Sequence, residues 1–532
     1  MMTSTFLSSL DGTAVSTALP TIAGELGGLD QLPWVLTAYL LGSVAATPLF
    51  GKLSDIYGRR ALTEWALAIF IVTSILAAAA QTMPQLVIAR GLQGIGGGGL
   101  MSMGFIVIGD IFSPRERGRY MGYYTMNFAV AALAGPVIGG VFVDVASWRW
   151  IFIINVPLGL ITIAIIHTNL TFRLPTRPHH LDLVGSAILV AGVTALVLGL
   201  ALGGGSHPWT SPIVLALLIG AVVAAIGFVA WERRAPEPVL PMRLFANPTF
   251  RILIGGNAVY GVVGMGLYSF LPLFFQVSLG EDPTTAGLIL ATSTMTVTVG
   301  SWFAGRITTG TGRYKRIIVG APILTLVTTL GYTNFDVESS AIDAIPWLVV
   351  AGFAMGMIYP TMTTATQNSL ALPDLGAGTS AINFFRSLGQ TIGVGALGAL
   401  LTARINRELG ALSDAPTSRT VDDAVGQPPP IDVDALLTTP ENIQALPPDL
   451  RTAVEDAVAV ATNEILWVCV PIIGAFCVAA WFLPELELRT TTALAAAEPP
   501  PSAANPESAT PDPAPPGPRA EGDTSGPVPH PD

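Results

Sequence analysis

The chain has 532 residues, of which 51% are hydrophobic and only 11% charged, against roughly 25% charged in a soluble domain. Mean hydropathy is +0.60, and the apolar residues fall in blocks of about 20, the length that crosses a ~30 Å hydrocarbon core; a soluble enzyme or nucleic-acid binder is excluded. The net charge of −11 marks no acidic binding face, because much of the acid sits in one late loop and in the tail.

In chain order the pattern predicts membrane segments over 2–22, 34–51, 62–81, 85–110, 119–143, 150–170, 183–204, 211–231, 252–277, 284–305, 315–333, 345–368, 379–403 and 464–484. The first twenty residues lack a basic region followed by an apolar core, so no cleavable signal peptide is expected. The first segment is rich in Ser and Thr, which predicts a short, loosely held helix or a start upstream of Met1. It carries Asp11, in Leu10-Asp11-Gly12-Thr13. Burying a carboxylate there costs about 2.5 kcal/mol or more, and membrane-embedded acids mark proton relays and ion paths. Asp11 is read as a proton-coupling or cation-recognising site, against the plainer reading of a helix-end acid reaching water.

Residues 51–60, Gly51-Lys52-Leu53-Ser54-Asp55-Ile56-Tyr57-Gly58-Arg59-Arg60, read as a basic, Gly-punctuated loop. A degraded copy recurs as Gly305-Arg306-Ile307-Thr308-Thr309-Gly310-Thr311-Gly312-Arg313. The repetition implies a duplicated six-helix unit with two further helices between the copies. Asp55, Arg59 and Arg60 are read as an inner gate, Asp55 pairing with a base such as Arg117 and releasing it as the conformation changes. Topology-setting charge alone is the alternative. Asp110 is a second candidate for this network.

In the fourth segment Arg90, with Gln93 and Gly94, needs a partner or a water-filled cavity; snorkelling to the interface is the bland reading. Residues 94–99 satisfy G-x-G-x-x-G, but no strand or soluble βαβ unit surrounds them. Glycines here serve close helix approach. In the fifth segment, Gly135-Pro136-Val137-Ile138-Gly139-Gly140 combines a proline without an amide proton with a flat glycine face, predicting a kink or a tight sliding contact. Asn383 and Arg386 in the thirteenth segment are possible site residues, with snorkelling as the alternative for Arg386. Tyr39, Met126, Asn127, Tyr260, Tyr268, Phe270 and Gln276 are candidate cavity residues, for which packing or lipid contact is the leading reading.

Basic residues cluster in alternate connections, at Lys52, Arg59 and Arg60, at Arg115, Arg117 and Arg119, and at Arg306, Arg313, Lys315 and Arg316. The positive-inside rule makes these connections cytoplasmic, with both termini inside. The connection around Asp374 lacks the expected base. Residues 404–463 are expected outside, with an amphipathic helix over 449–461, and the Pro-, Ala- and Ser-rich tail from 490 is expected to be disordered. Cys469 and Cys477 lie about two turns apart on one segment, too far to bridge within a helix. No metal-ligand cluster, P-loop or catalytic triad is evident, so neither cofactor nor ATP is expected.

On these residues the chain resembles the major facilitator superfamily, in particular its fourteen-helix drug:proton antiporter group, over about residues 1–485. Residues 51–60 match the loop signature, Leu10-Asp11-Gly12-Thr13 with Ala18-Leu19-Pro20 the first-helix signature, and Arg90 with Gln93-Gly94 the fourth-helix signature. Gly135-Pro136 with Gly139-Gly140 match the fifth-helix antiporter signature, which implies export. Trp148-Arg149-Trp150-Ile151-Phe152 through Asn155-Val156-Pro157 is typical of the fourteen-helix group. The thirteenth helix lacks the acid that some cationic-drug exporters carry. The resemblance implies an all-α integral membrane fold: a six-helix half over 1–172, two inserted helices over 173–245, a second half over 246–489 and a cytoplasmic tail over 490–532. It implies a monomeric, multi-pass plasma-membrane transporter, not an enzyme, exporting drugs or other lipophilic molecules against protons by alternating access. A dedicated exporter of one endogenous metabolite, lipid or peptide is the alternative; a membrane-bound enzyme or a transport-inactive sensor is more remote.

Overall fold

The computed structural model describes residues 1–27, 31–170, 182–203, 207–371, 374–413 and 448–489. Among them no strand occurs, only an isolated bridge between Gly203 and His207. The long helices are α1 (Met2–Leu26), α2 (Leu32–Tyr57), α3 (Arg59–Ala78), α4 (Met83–Ile111), α5 (Pro114–Val145) and α6 (Arg149–Asn169, interrupted at Ile154). They continue as α7 (Leu183–Leu202), α8 (Pro212–Glu232), α9 (Pro248–Leu273, ending in a π turn), α10 (Pro283–Thr311), α11 (Lys315–Tyr332), α12 (Ile345–Ser369), α13 (Leu375–Ser413) and α14 (Pro448–Trp481).

Twelve of these are long and apolar enough to cross a membrane. The exceptions are compositional. Ser and Thr run through α1, and α11 has 18 residues and opens on Lys315-Arg316. The expectation of a loosely held first helix is corrected: α1 runs 25 residues and buries Leu7, Leu10, Asp11, Ala14 and Ala18. Residues 51–57 are not loop but the last turns of α2, and the connection to α3 narrows to Gly58. Gly58 at φ 89° and its counterpart Gly312 at φ 68° hold backbone conformations that a side chain would strain. The duplicated Gly-Arg spacing therefore puts a positive-φ glycine at the end of both helices, but the turns differ: Gly58, at ψ 152°, leads straight into α3, and Gly312, at ψ 12°, ends α10 before the start of α11 at Lys315. The expected amphipathic helix at 449–461 merges into α14, and the expected tail lies outside the described residues.

Polar side chains start the helices. Ser113 and Glu116 form a capping box on α5, and Asp182, Ser211, Asn247 and Asp282 cap α7, α8, α9 and α10. In a bilayer, helices associate through close packing of small residues rather than through the hydrophobic effect. The α4 glycines do this: a side chain at Gly94 or Gly98 would overlap carbonyls of α2, and one at Gly96 the backbone of α3. The pairings repeat along the chain. α1 packs on α5 as α9 does on α13, α2 on α4 as α10 on α12, and α3 on α4 as α11 on α12.

The two sets meet along a seam of α2 against α13 and α5 against α10. At the end carrying the basic connections, the basic end, Gly51 packs on Ser380 and Gly118 on Thr308. Towards the other end α5 and α10 part around a cleft of about 550 Å³ lined by Met126, Val130, Leu133, Met295 and Thr298. After α14, residues 483–489 run extended across the basic end. Leu486 N donates to Tyr314 Oη at 3.3 Å, Arg489 N to Asn368 Oδ1 at 3.1 Å, and Arg115 N to the Arg489 carbonyl at 3.3 Å. α7 and α8 form a hairpin whose α7 touches both α2 and α13, straddling the seam.

Candidate functional site

Asp11 lies in the third turn of α1 and Arg90 in the third turn of α4, and the antiparallel run of these helices brings them together. Arg90 Nη1 donates to Asp11 Oδ2 at 2.5 Å and to Gln93 Oε1 at 2.6 Å. Gln93 Nε2 donates to Asp11 Oδ1 at 3.0 Å and to Ser74 Oγ at 2.8 Å. Asn155 Nδ2 from α6 adds a bond to Asp11 Oδ1 at 2.7 Å. The guanidinium carbon lies 4.3 Å from the centre of the Tyr39 ring, whose hydroxyl meets Ser8 Oγ at 2.7 Å. Both charges are shut away from solvent. An ion pair at this depth is stable only when its remaining hydrogen-bond capacity is filled. Asp11 achieves that with three donors, whereas Arg90 Nε and Nη2 have no partner. The cluster is closed but not saturated.

Arg90 does not snorkel, and Asp11 is not a helix-end acid. Asn155 and Ser74 are cluster members that the charges did not announce. The signals for Asn155 are an amide in an otherwise apolar run and its place in the run typical of the fourteen-helix group, neither of which assigns it to the Asp11 cluster. Tyr39, one of several candidates for cavity lining, belongs here too.

A second cluster sits at the basic end. Arg59 Nε donates to Asp110 Oδ2 at 2.8 Å, Nη1 lies 2.5 Å from Asp55 Oδ1, and Ser54 Oγ completes its shell. The expected pairing of Asp55 with Arg117 is corrected. Arg117 is buried and donates instead to the carbonyls of Phe112 and Gly109, closing the C-terminal end of its neighbour α4. The reason is reach: Arg59 is one helical turn from Asp55, on the far side of the Gly58 bend. Arg60 lies outside the cluster, bonded to Glu64 at 2.9 Å and to His167. Asp55 also bears on Gly376, in the first turn of α13, where a helix N-terminus favours negative charge. Arg115 crosses the seam in the other direction, donating to the carbonyls of Thr309 and Gly310 at the C-terminal end of α10. Both contacts across the seam match charge to helix dipole.

Gly135 and Gly139 press α5 onto α1 at Thr13 and Ala14, while Gly140 faces open space. Thr13 Oγ1 donates to the Ala131 carbonyl at 3.2 Å across this contact. α5 stays helical through Pro136, and the expected close contact is the one that Gly135 and Gly139 make with α1. Asn383 accepts from Tyr359 Oη at 3.2 Å, and Arg386 lies over the same ring at 4.3 Å. The structure therefore assembles three groups from the candidates: Asp11 with Arg90 and Gln93, Asp55 with Arg59 and Asp110, and Asn383 with Arg386.

Residues 1–394 match the Major Facilitator Superfamily. The chain is 38% identical over 406 residues to the multidrug transporter protein MdtP of Bacillus subtilis, covering 75% of this chain and 74% of that one. It is 32% identical over 396 residues to multidrug resistance protein 3 of the same organism, covering 74% and 77%. The fold is also that of the proton:xylose symporter XylE, with a TM-score of 0.54 at 14% identity over 93% of this chain and 97% of that one. The chain is a multi-pass membrane protein and belongs to the Major Facilitator Superfamily of transporters.

Proposed function

We propose that the protein is a proton-coupled exporter of lipophilic small molecules, working by alternating access in the plasma membrane as a monomer, without a cofactor. The relatives named as multidrug transporters support the substrate class. In this reading α1 and α11 also span, giving fourteen helices: two six-helix halves over 1–172 and 246–489 and an inserted pair over 173–245. The positive-inside rule places the basic end, and both termini, in the cytoplasm.

The observation that carries the reading is the buried cluster around Asp11. A carboxylate held at membrane depth by one cation and two amides has two arrangements available. Ionised, it binds Arg90. Protonated, it releases Arg90, whose idle Nε and Nη2 then need new partners, so α1 and α4 shift relative to each other. A proton taken from outside would favour substrate release there, and its loss inward would reset the site. Arg59, Asp55 and Asp110 would latch the cytoplasmic side while the outer side is open.

The test is dye and drug efflux from vesicles holding the full chain, with an imposed proton gradient. Asp11→Asn keeps the shape and removes the titratable group. The expected outcome is loss of gradient-driven efflux, with substrate binding retained. Undiminished gradient-driven efflux by the Asn variant would move coupling elsewhere.

A further inference from the structure

Two arginines stand inside the bundle away from its ends, and the fold treats them differently. Arg90 is matched by Asp11. Arg386, in the fourth turn of α13, has no acidic partner among the described residues. Its Nε is buried without a hydrogen-bond partner, and its guanidinium rests on the Tyr359 ring face at 4.3 Å. A ring face offsets only part of the cost of leaving the buried Nε without a hydrogen bond. Across the seam, Asp110 of α4 is already held by Arg59 at 2.8 Å and Glu116 of α5 caps its own helix. α9, α10 and α12 contain no Asp or Glu at all. The Glu of α13, Glu408, is bonded to Arg404 at 2.9 Å, six turns from Arg386.

The position is on the seam. Tyr359 meets Phe105 of α4 edge-on at 5.6 Å, and Phe105 meets Tyr124 of α5 at 4.5 Å. Tyr124 Oη lies 2.8 Å from Thr5 Oγ1 of α1. Arg386 is thus at the junction of α4, α5, α12 and α13, partly exposed, beside an amide and a row of aromatic rings.

We propose that Arg386 is the counter-charge for an anionic group, and that the exporter's substrates are amphiphiles with an aromatic or aliphatic body and one carboxylate. This rests on the export reading above and names its substrate class. The guanidinium supplies a planar pair of donors for the carboxylate, Asn383 lies one turn away on the same helix, and the partly exposed Tyr359 ring, backed by the buried Phe105 and Tyr124, supplies apolar surface. The Asp11–Arg90 pair is internally neutral, whereas Arg386, away from the basic end, has no acidic partner among the described residues.

The test uses three probes sharing a pyrene body and a four-carbon chain: 1-pyrenebutyrate, 1-pyrenebutanol and 1-pyrenebutylamine. Binding to the full purified chain is followed by quenching of tryptophan fluorescence, with no ion gradient. The carboxylate is expected to bind about 10- to 100-fold tighter than the alcohol, as for a hydrogen bond between charged groups, and the amine weakest. In Arg386→Gln the advantage of the carboxylate over the alcohol is lost, and an unchanged thermal melting midpoint of the purified variant reports that it is folded. Arg386→Lys retains part of the preference. Equal binding of all three probes, no binding of any, or a carboxylate preference that survives Arg386→Gln would each overturn the assignment. Because no gradient is present, charge preference without proton-driven efflux would count against the export reading and not against this one.

Discussion

Arg59 and Arg60 are adjacent in sequence and alike in chemistry, yet their surroundings give them unequal weight. Arg59 is 6% exposed and its partner Asp110 2%, so each depends on the other to offset lost hydration. Removing one partner of a buried pair costs about 3–5 kcal/mol, because the remaining charge is stranded. Arg60 shares Glu64 with His167 on a half-exposed surface, where such pairs contribute about 0–1 kcal/mol. Asp110→Ala is therefore expected to lower the thermal melting midpoint of the purified protein clearly, and Arg60→Ala to leave it almost unchanged. Equal shifts would mean that Asp55 alone suffices for Arg59. At this scale the sequence is informative about charge and poor about amides. Asp11, Arg90 and Asp110 stand out because a charge in an apolar block demands a partner. Asn155 and Ser74 complete the Asp11 cluster but carry no charge, and nothing in a single sequence separates them from a packing Asn or Ser.

The helices themselves were legible as apolar blocks, because a bilayer fixes their length. Their ends were not, because a helix continues past the hydrocarbon once its polar residues find caps or partners. α2 runs through the basic motif to Tyr57, and α13 and α14 extend to Ser413 and from Pro448. The extended segment after α14 had no sequence signal at all. It lacks periodicity, and its bonds go to Tyr314, Asn368 and Gly312, more than a hundred residues away. Its apolar residues Leu483 and Leu488 are buried against the α10–α12 side of the bundle. Burying a leucine contributes about 1.5–3 kcal/mol, so Leu488→Asp is expected to release the strap. Limited proteolysis would then cut the chain after α14 faster than in the parent protein. An unchanged cutting rate would show that the backbone bonds hold the strap without the leucine.

Across the whole molecule, the basic end is sealed by glycines. Small residues at 51, 118 and 305 let α2 meet α13 and α5 meet α10 without intervening side chains, and Ser102 Oγ and Ser380 Oγ approach to 2.9 Å across the seam. The other end is parted by the cleft between α5 and α10. In the proposed alternating cycle, rocking the halves would open these glycine contacts while closing the cleft, since packed interfaces shift between discrete arrangements and do not stretch. Gly118 and Thr308 face each other directly on α5 and α10. Cysteines at both positions are expected to form a disulfide under mild oxidation, since a side chain at 118 points directly at the side chain of 308. The cross-link would hold the basic end shut, so efflux from vesicles should stop on oxidation and return on reduction, with each single cysteine variant unaffected by the oxidant. A cross-linked protein that still transports at the parent rate would mean that the seam between α5 and α10 does not open during the cycle, and the alternating movement would have to be carried by α2 and α13 alone.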